Sequence, residues 1–202
     1  MCFAVAGGFA AGLYRLEPRL TMDVDLVILA AADGVETAMD VIEALGLKAR
    51  IARKADLAGG PLFAIRRGNT KPCIVVGRPA DNPQGEGVDL LLCGFPWVED
   101  AARRAQGHEV DFGFGPVPVL TLEDVLLAKL WALQASPLRA KDLDDLQSII
   151  EANHDLDIAY LAGQIGRLKI VIPPQAEPFL PKSILLLSRD ARRSRKSDQH
   201  TK

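Results

Sequence analysis

The strongest constraint on the fold of this chain is a pair of glycines, Gly7 and Gly8, that ends an apolar run beginning at Cys2. Adjacent glycines mark tight turns, because glycine adopts backbone conformations that a side chain disfavours. The small and apolar residues 9–14 that follow favour a helix. The pattern therefore predicts a strand, a tight turn and a helix, whose free N–H groups and positive end suit a phosphate.

A second apolar run carries two aspartates at its start. Asp23 and Asp25 flank Val24 and precede the apolar residues 26–29. Side chains alternate along a strand, so the two carboxylates face the same way, with Cα atoms about 6 to 7 Å apart. Such a pair offers the hard oxygen ligands that Mg²⁺ prefers. By itself a D-x-D pair is also common as a solvated strand end, so the motif needs support from other residues.

A third acid provides that support. Asp89 lies inside the apolar run 88–93, where an ionised carboxylate is costly unless a cation offsets its charge. We therefore expect Asp23, Asp25 and Asp89 to bind Mg²⁺ together. Metal ions held by three acids can activate an attacking hydroxyl and stabilise a pyrophosphate leaving group. If these acids are incidental, Asp89 lies far from Asp23 in space.

The rest of the chain reads as an α/β (α+β) protein, with a mixed sheet flanked by helices and a C-terminal helical region. Apolar spacing predicts helices over residues 35–45, 97–106, 121–135, 139–152 and 157–165, and strands over 62–66, 73–76 and 88–93. We expect a catalytic core over 1–118, a helical subdomain over 119–168 and an extension over 169–202. Its basic tail, from about residue 189, holds six Lys/Arg against two Asp, and we expect it to be disordered.

Composition bears on the location of the protein more than on its partners. No apolar stretch approaches the roughly 20 residues that span a membrane, and no signal-peptide pattern is present. The three cysteines have no zinc or redox spacing, which is typical of a reduced compartment, so we expect a cytoplasmic protein with no membrane partner. The acidic body gives no direct support for RNA binding.

The motifs resemble a known family. The segments VAGGFA (5–10) and RLTMDVDL (19–26) match the G-G-x-A and R-x-T-x-D-x-D-L patterns of minimal nucleotidyltransferases of the AbiEii/MNT-like kind, which include toxins of toxin–antitoxin pairs. The V-D-L-L strand at 88–91, Ala128-Lys129 and Lys141-Asp142 match later family motifs. The resemblance implies a nucleotidyltransferase-like fold. Many nucleotidyltransferases carry Ser after the first glycine, whereas this chain has Gly8, as is usual in this subfamily.

The resemblance also implies roles for individual residues. Asp23, Asp25 and Asp89 would hold the catalytic Mg²⁺ ions, and Asp89 would help deprotonate the acceptor. Lys129 would reach the triphosphate, and Asp142 would orient Lys129 or the acceptor. The remaining candidates would contact the nucleotide or brace the metal loop: Gly7, Gly8, Arg19 and Thr21. Lys129 could equally be a solvated lysine on an amphipathic helix, and Asp142 could be an acid in the first turn of a helix, where the helix dipole favours it.

Two functions follow from these expectations. The first is an Mg²⁺-dependent nucleotidyltransferase that uses a nucleoside triphosphate (NTP) and modifies a tRNA or protein acceptor, as a toxin with a cognate antitoxin. The alternative is a catalytically inactive nucleotidyltransferase-fold module with a binding or regulatory role. Intact carboxylates favour the enzyme, because a degenerate site has no need of a buried acid.

Overall fold

The diglycine turn joins a strand to a helix without an intervening loop. In the computed structural model, which describes residues 2–29, 34–52, 74–92 and 95–186, strand β1 (Cys2–Ala6) runs directly into helix α1 (Gly7–Tyr14). Gly7 has a φ of 59°, in the left-handed region where a side chain is strained. The pairing of β1 with the next strand sets Ala6 opposite Asp25, so the turn lies directly beside that carboxylate.

A five-stranded mixed sheet forms the centre of the fold, with the strand order β1-β2-β5-β4-β3. Its four further strands are β2 (Asp23–Leu29), β3 (Lys48–Ile51), β4 (Ile74–Arg78) and β5 (Gly87–Leu92). Strands β2 and β5 are parallel neighbours at the middle, whereas the other neighbouring pairs are antiparallel. Two short strands, β6 (Glu109–Asp111) and β7 (Pro116–Pro118), form a separate ribbon.

Helices cover both faces of the sheet. They are α2 (Gly34–Ala44), α3 (Val98–Ala105), α4 (Leu122–Ala135), α5 (Ala140–Ala152) and α6 (Ile158–Leu168), and a 3-10 helix follows at Glu177–Phe179. Helix α2 packs on one face against a small cluster around Ile42 and Leu90. The larger core lies on the other face, where residues of α4, α5 and α6 join α1, α3 and the sheet in one buried cluster. None of the described helices combines the length and apolar character that crossing a bilayer requires.

The predicted mixed α/β fold with a C-terminal helical region is confirmed. The predicted strand over 62–66 and the basic tail from about residue 189 lie outside the described residues. Strands β3, β6 and β7 were not predicted, because each is short and lacks a long apolar run. Gly46 ends α2 with a φ of 76°, as its place in the sequence indicates. The Thr121 hydroxyl donates to the Asp124 carboxylate at 3.1 Å, whereas a capping box predicts that it accepts from the backbone.

The turn yields a test that uses two glycines of the same helix. A Cβ at Gly7 would overlap the Asp25 carboxylate, whereas one at Gly12 meets nothing within 4 Å. We expect Gly7→Ala to lower the free energy of unfolding by at least about 2 kcal/mol, from the unfavourable φ and the overlap together. Gly12→Ala should raise it by about 0.5 to 1 kcal/mol, since alanine is the better helix former. Urea unfolding of both variants measures the difference, and equal effects would contradict this description of the turn.

Candidate active site

The register of the two central strands brings the predicted carboxylates together. Asp25 lies opposite Asp89 across the parallel pair β2 and β5, and Asp23 lies opposite Gly87. Neighbouring strands lie about 5 Å apart, and opposed residues project from the same face. The three carboxylates therefore converge on one face of the sheet, and the alternative expectation that Asp89 lies far from Asp23 is wrong.

The surroundings of Asp25 and Asp89 oppose the ionisation of these two carboxyl groups. Burial, reinforced by the negative charge of Asp89, raises the pKa of Asp25 to about 6. Lys129 and the Gly8 N–H, which donates to Asp25 Oδ2 at 3.4 Å, act in the opposite direction. Burial also raises the pKa of Asp89, although a neighbouring arginine partly offsets it. Two carboxylates that share a site in this way favour a cation between them.

That arginine is Arg78, at the end of β4. Its Nη1 lies 2.7 Å from Asp89 Oδ1, and its Nη2 lies 3.2 Å from Asp23 Oδ1. Nη1 also donates to the Gly77 carbonyl at 2.8 Å. The two ion pairs differ in hydrogen bonding. Arg78 donates a hydrogen bond to Asp89, whereas Asp23 Oδ1 is buried and accepts no hydrogen bond from the described residues. Arg78 therefore bonds firmly to Asp89 and only by charge to Asp23.

The loop before β2 packs against the diglycine turn. A Cβ at Gly8 would lie 2.9 Å from Thr21 Oγ1 and 3.0 Å from an Arg19 nitrogen. This contact explains why a glycine stands where many nucleotidyltransferases carry a serine. Thr21 Oγ1 donates to the carbonyl of Asp23 at 3.2 Å, so it fixes the backbone at the first carboxylate.

A buried network of charges anchors the helical side of the site. Lys129 on α4 is 7% exposed, and its Nζ lies 2.9 Å from Asp142 Oδ1 and 2.7 Å from Asp145 Oδ2 on α5. The interpretation of Lys129 as a solvated lysine is therefore wrong. Burial lowers the pKa of Lys129, but the two carboxylates outweigh burial and raise it, so the ammonium stays charged.

Asp145 joins this network to the loop before β2. Its fully buried carboxylate accepts two hydrogen bonds from Arg19, both 2.7 Å long, and one of 2.8 Å from Arg15. Burial raises the pKa of Asp145, but the bonds and charges of Arg19 and Lys129 outweigh it and lower the pKa to about 2. One ionised carboxylate thus ties α1, the loop, α4 and α5 together.

All the site residues predicted from the sequence line a single cavity of about 440 Å³. Their side chains and turn backbone surround it: Gly7, Gly8, Arg19, Thr21, Asp23, Asp25, Asp89, Lys129 and Asp142. Arg139 and Lys141 add positive charge to its wall. A second cavity of about 630 Å³ adjoins it through Gly8, Arg19, Thr21 and Asp23, and carries apolar side chains that include Phe9, Leu13, Leu20, Met22 and Phe112.

Sequence reasoning missed two residues of the site. Asp145 follows Asp142 by three positions, a spacing that places both on one helix face, so this signal was available. Arg78 left a weaker signal, since alternation puts it on the same face of β4 as Val76, but its partners depend on strand order. Among the described residues, no group of three or more acidic, histidine or cysteine side chains is arranged to hold a metal ion.

Comparisons with known proteins agree with the motifs. The family described as Nucleotidyl transferase AbiEii toxin, Type IV TA system, matches residues 1–201. No curated protein gives a significant match.

Three solved structures are similar at low sequence identity. The antibiotic-resistance factor ANT(2'')-Ia is 16% identical, with a TM-score of 0.43 over 98% of this chain and 86% of that one. An antigenic nucleotidyltransferase-like protein from Paracoccidioides brasiliensis is 18% identical, with a TM-score of 0.40 over 86% and 87%. A protein from H. pylori, assigned as a nucleotidyltransferase, is 12% identical, with a TM-score of 0.45 over 100% and 90%.

The buried network predicts a contrast between two neighbouring acids. Asp145→Asn should lower the free energy of unfolding by about 3 to 5 kcal/mol, because it leaves Arg19 without its buried anion and removes one of the two buried anions that hold Lys129. Asp144→Asn is the matched control, since the Asp144 side chain is 61% exposed and forms an ion pair with Arg15 at the protein surface. We expect this variant to lose less than about 1 kcal/mol of unfolding free energy. Urea unfolding at neutral pH measures both, and a similar loss in the two variants would contradict the anchoring role of Asp145.

The raised pKa of Asp25 predicts a dependence of stability on pH. An acid whose pKa rises to about 6 on folding holds its proton more tightly in the folded state. Its ionisation therefore destabilises the fold as pH rises from about 4 through 6. Because the carboxylate borders a cavity that water can enter, we expect a loss of about 1 kcal/mol between pH 5 and pH 8. Asp25→Asn should remove this loss and exceed the wild type in melting temperature at pH 8, and a variant less stable than the wild type there would contradict the shift.

Proposed function

Because the chain belongs to the AbiEii family of nucleotidyltransferase toxins, we propose that it transfers a nucleotidyl group from an NTP to an acceptor with the help of Mg²⁺. The observation that carries the proposal is the convergence of three carboxylates, a buried lysine and a helix start on one cavity. Each of these groups suits one need of the reaction: a cation site, a charge for the phosphates and the positive end of a helix.

The carboxylates fit a divalent metal by the chemistry of their atoms. They offer hard oxygen donors, and Asp23 Oδ1 is buried without a hydrogen bond from the described residues. Burial raises the pKa of both Asp25 and Asp89, so a bound cation would offset the cost of ionising them. Asp23, Asp25 and Asp89 would hold the metal. Bound there, Mg²⁺ would supply a Lewis acid that polarises the phosphate and neutralises charge on the leaving pyrophosphate.

The remaining residues of the cavity suit the triphosphate. Lys129 keeps its charge and is held in place by two carboxylates, so it would bind phosphate oxygens without the loss of freedom that an exposed lysine incurs. Arg139 and Lys141 lie on the same wall and would bind the phosphate tail. The N–H groups at Gly7 and Gly8 begin α1, where the helix dipole favours an anion.

The acceptor would enter from the adjoining apolar cavity. That cavity meets the first at Asp23, so a hydroxyl placed there would lie beside the carboxylates. Asp89 would accept the proton of this hydroxyl, since burial makes it a stronger base than an exposed aspartate. The candidate acceptors are a tRNA 3′ end and a protein side chain.

The family comprises toxins of type IV toxin–antitoxin systems. We propose this role for the chain, with a cognate antitoxin as its partner. Induction of the wild type without the antitoxin should arrest growth of the host. Induction of Asp25→Asn should not, if toxicity depends on the transfer reaction.

The carboxylates give the central prediction. Single substitutions Asp23→Asn, Asp25→Asn and Asp89→Asn should each lower transfer by about a thousandfold or more, because each removes one anion from the metal site. Asp81→Asn is the control, since Asp81 is an exposed acid in the loop between β4 and β5, and it should keep wild-type activity. The measurement is transfer of label from α-labelled ATP, GTP, CTP and UTP to separate RNA and protein fractions.

Calorimetry separates the enzyme from an inactive module. The wild type should release heat with at least one of the four NTPs in the presence of Mg²⁺, and less when the metal is removed by a chelator. An absence of metal-dependent heat with all four NTPs, together with no label transfer, would overturn the proposed function in favour of a binding module.

A further inference from the structure

We propose that Arg78 is an internal counter-ion of the metal site, and that it competes with the divalent cation for Asp23 and Asp89. The inference rests on the proposed function, since it concerns the metal that these carboxylates would hold. It adds a residue outside the predicted site, and it makes the affinity for metal depend on a side chain that is not a metal ligand.

The register of the sheet brings Arg78 to the carboxylates. Asp23 lies opposite Gly87, and a Cβ at Gly87 would lie 2.6 Å from Arg78 Nη1 and 2.9 Å from Arg78 Cδ. The side chain of Arg78 thus crosses β5 at Gly87, which carries no side chain, to reach Asp23. Any larger residue at Gly87 would block this path, so the sheet provides a channel for the guanidinium.

The guanidinium uses the oxygens that a metal would need. It contacts Asp89 Oδ1 at 2.7 Å and Asp23 Oδ1 at 3.2 Å, and its side chain is only 16% exposed. While a cationic nitrogen lies on each of these oxygens, their lone pairs are less available to Mg²⁺, which binds carboxylate oxygens at about 2.1 Å. Two cations at this separation also repel each other strongly in a partly buried site. Arg78 and the metal therefore compete for Asp23 and Asp89.

The bond to Asp23 is the weaker of the two. Asp23 Oδ1 accepts no hydrogen bond from the described residues, whereas Asp89 Oδ1 accepts one of 2.7 Å from Nη1. The metal therefore gains Asp23 at little cost and displaces Arg78 mainly from Asp89. Before a metal binds, the positive charge of Arg78 offsets the negative charges of Asp23 and Asp89.

The test measures metal binding in the absence of nucleotide, with Mn²⁺ as the probe. Arg78→Met removes the charge and keeps an unbranched chain, so it should bind Mn²⁺ at least about tenfold more tightly than the wild type. Arg78→Lys keeps the charge and should stay closer to the wild type. Arg103→Met is the control, because Arg103 is an exposed arginine on α3 that pairs with Glu99. Calorimetric titration gives the affinities.

Thermal unfolding supplies a second readout. A saturating concentration of Mn²⁺ should raise the melting temperature of Arg78→Met more than that of the wild type, since a ligand stabilises in proportion to the logarithm of its affinity. A loss of stability in Arg78→Met without tighter Mn²⁺ binding would overturn the inference, because Arg78 would then stabilise the fold without affecting metal binding.

The outcomes separate this inference from the proposed function. If Arg78→Met and the wild type bind Mn²⁺ equally, or the variant binds it more weakly, the counter-ion role is wrong and the proposed reaction is untouched. If neither protein binds Mn²⁺, the inference is again overturned. The reaction itself is then judged by label transfer from an NTP in the presence of Mg²⁺.

Discussion

The parallel pairing of β2 with β5 is the constraint on which the site depends. It sets Asp25 opposite Asp89 and leaves Gly87 opposite Asp23. Because side chains alternate along a strand, a shift of one residue in this register would turn Asp89 into the opposite core beneath α2. Apolar packing on both faces of the sheet, around Leu90 on one side and Val27 on the other, therefore fixes where the charges lie.

The negative charges of the site's carboxylates are balanced by long basic side chains from other strands and helices. Arg78 comes from β4, and Lys129 comes from α4, where it is held by Asp142 and Asp145. Buried ion pairs of this kind add little net stability, because desolvation offsets much of their attraction. They fix geometry, since a buried charge without its partner is far more costly than any alternative packing. The site thus gains its arrangement from groups whose removal the fold tolerates poorly.

Local patterns in the sequence predict much of this arrangement. The alternation of Asp23 and Asp25 and the apolar setting of Asp89 predict a shared site, and the structure brings the three together. Strand order is a property of the whole chain, so Arg78 could not be assigned to the carboxylates from its own neighbourhood. Asp145 was missed for another reason, because a helical acid is most often solvated and nothing local indicates that three cations surround it.

Dissolved salt acts differently on the buried ion pairs of Lys129 and on ion pairs at the protein surface. Dissolved salt screens exposed charges over about 8 to 10 Å, but it reaches buried pairs far less. Lys129 is 7% exposed and Asp145 is fully buried, so their ion pair keeps its geometry in concentrated salt, whereas the surface pair of Arg103 and Glu99 weakens. Concentrated salt will therefore weaken the surface pair while the buried ion pairs of Lys129 stay in place.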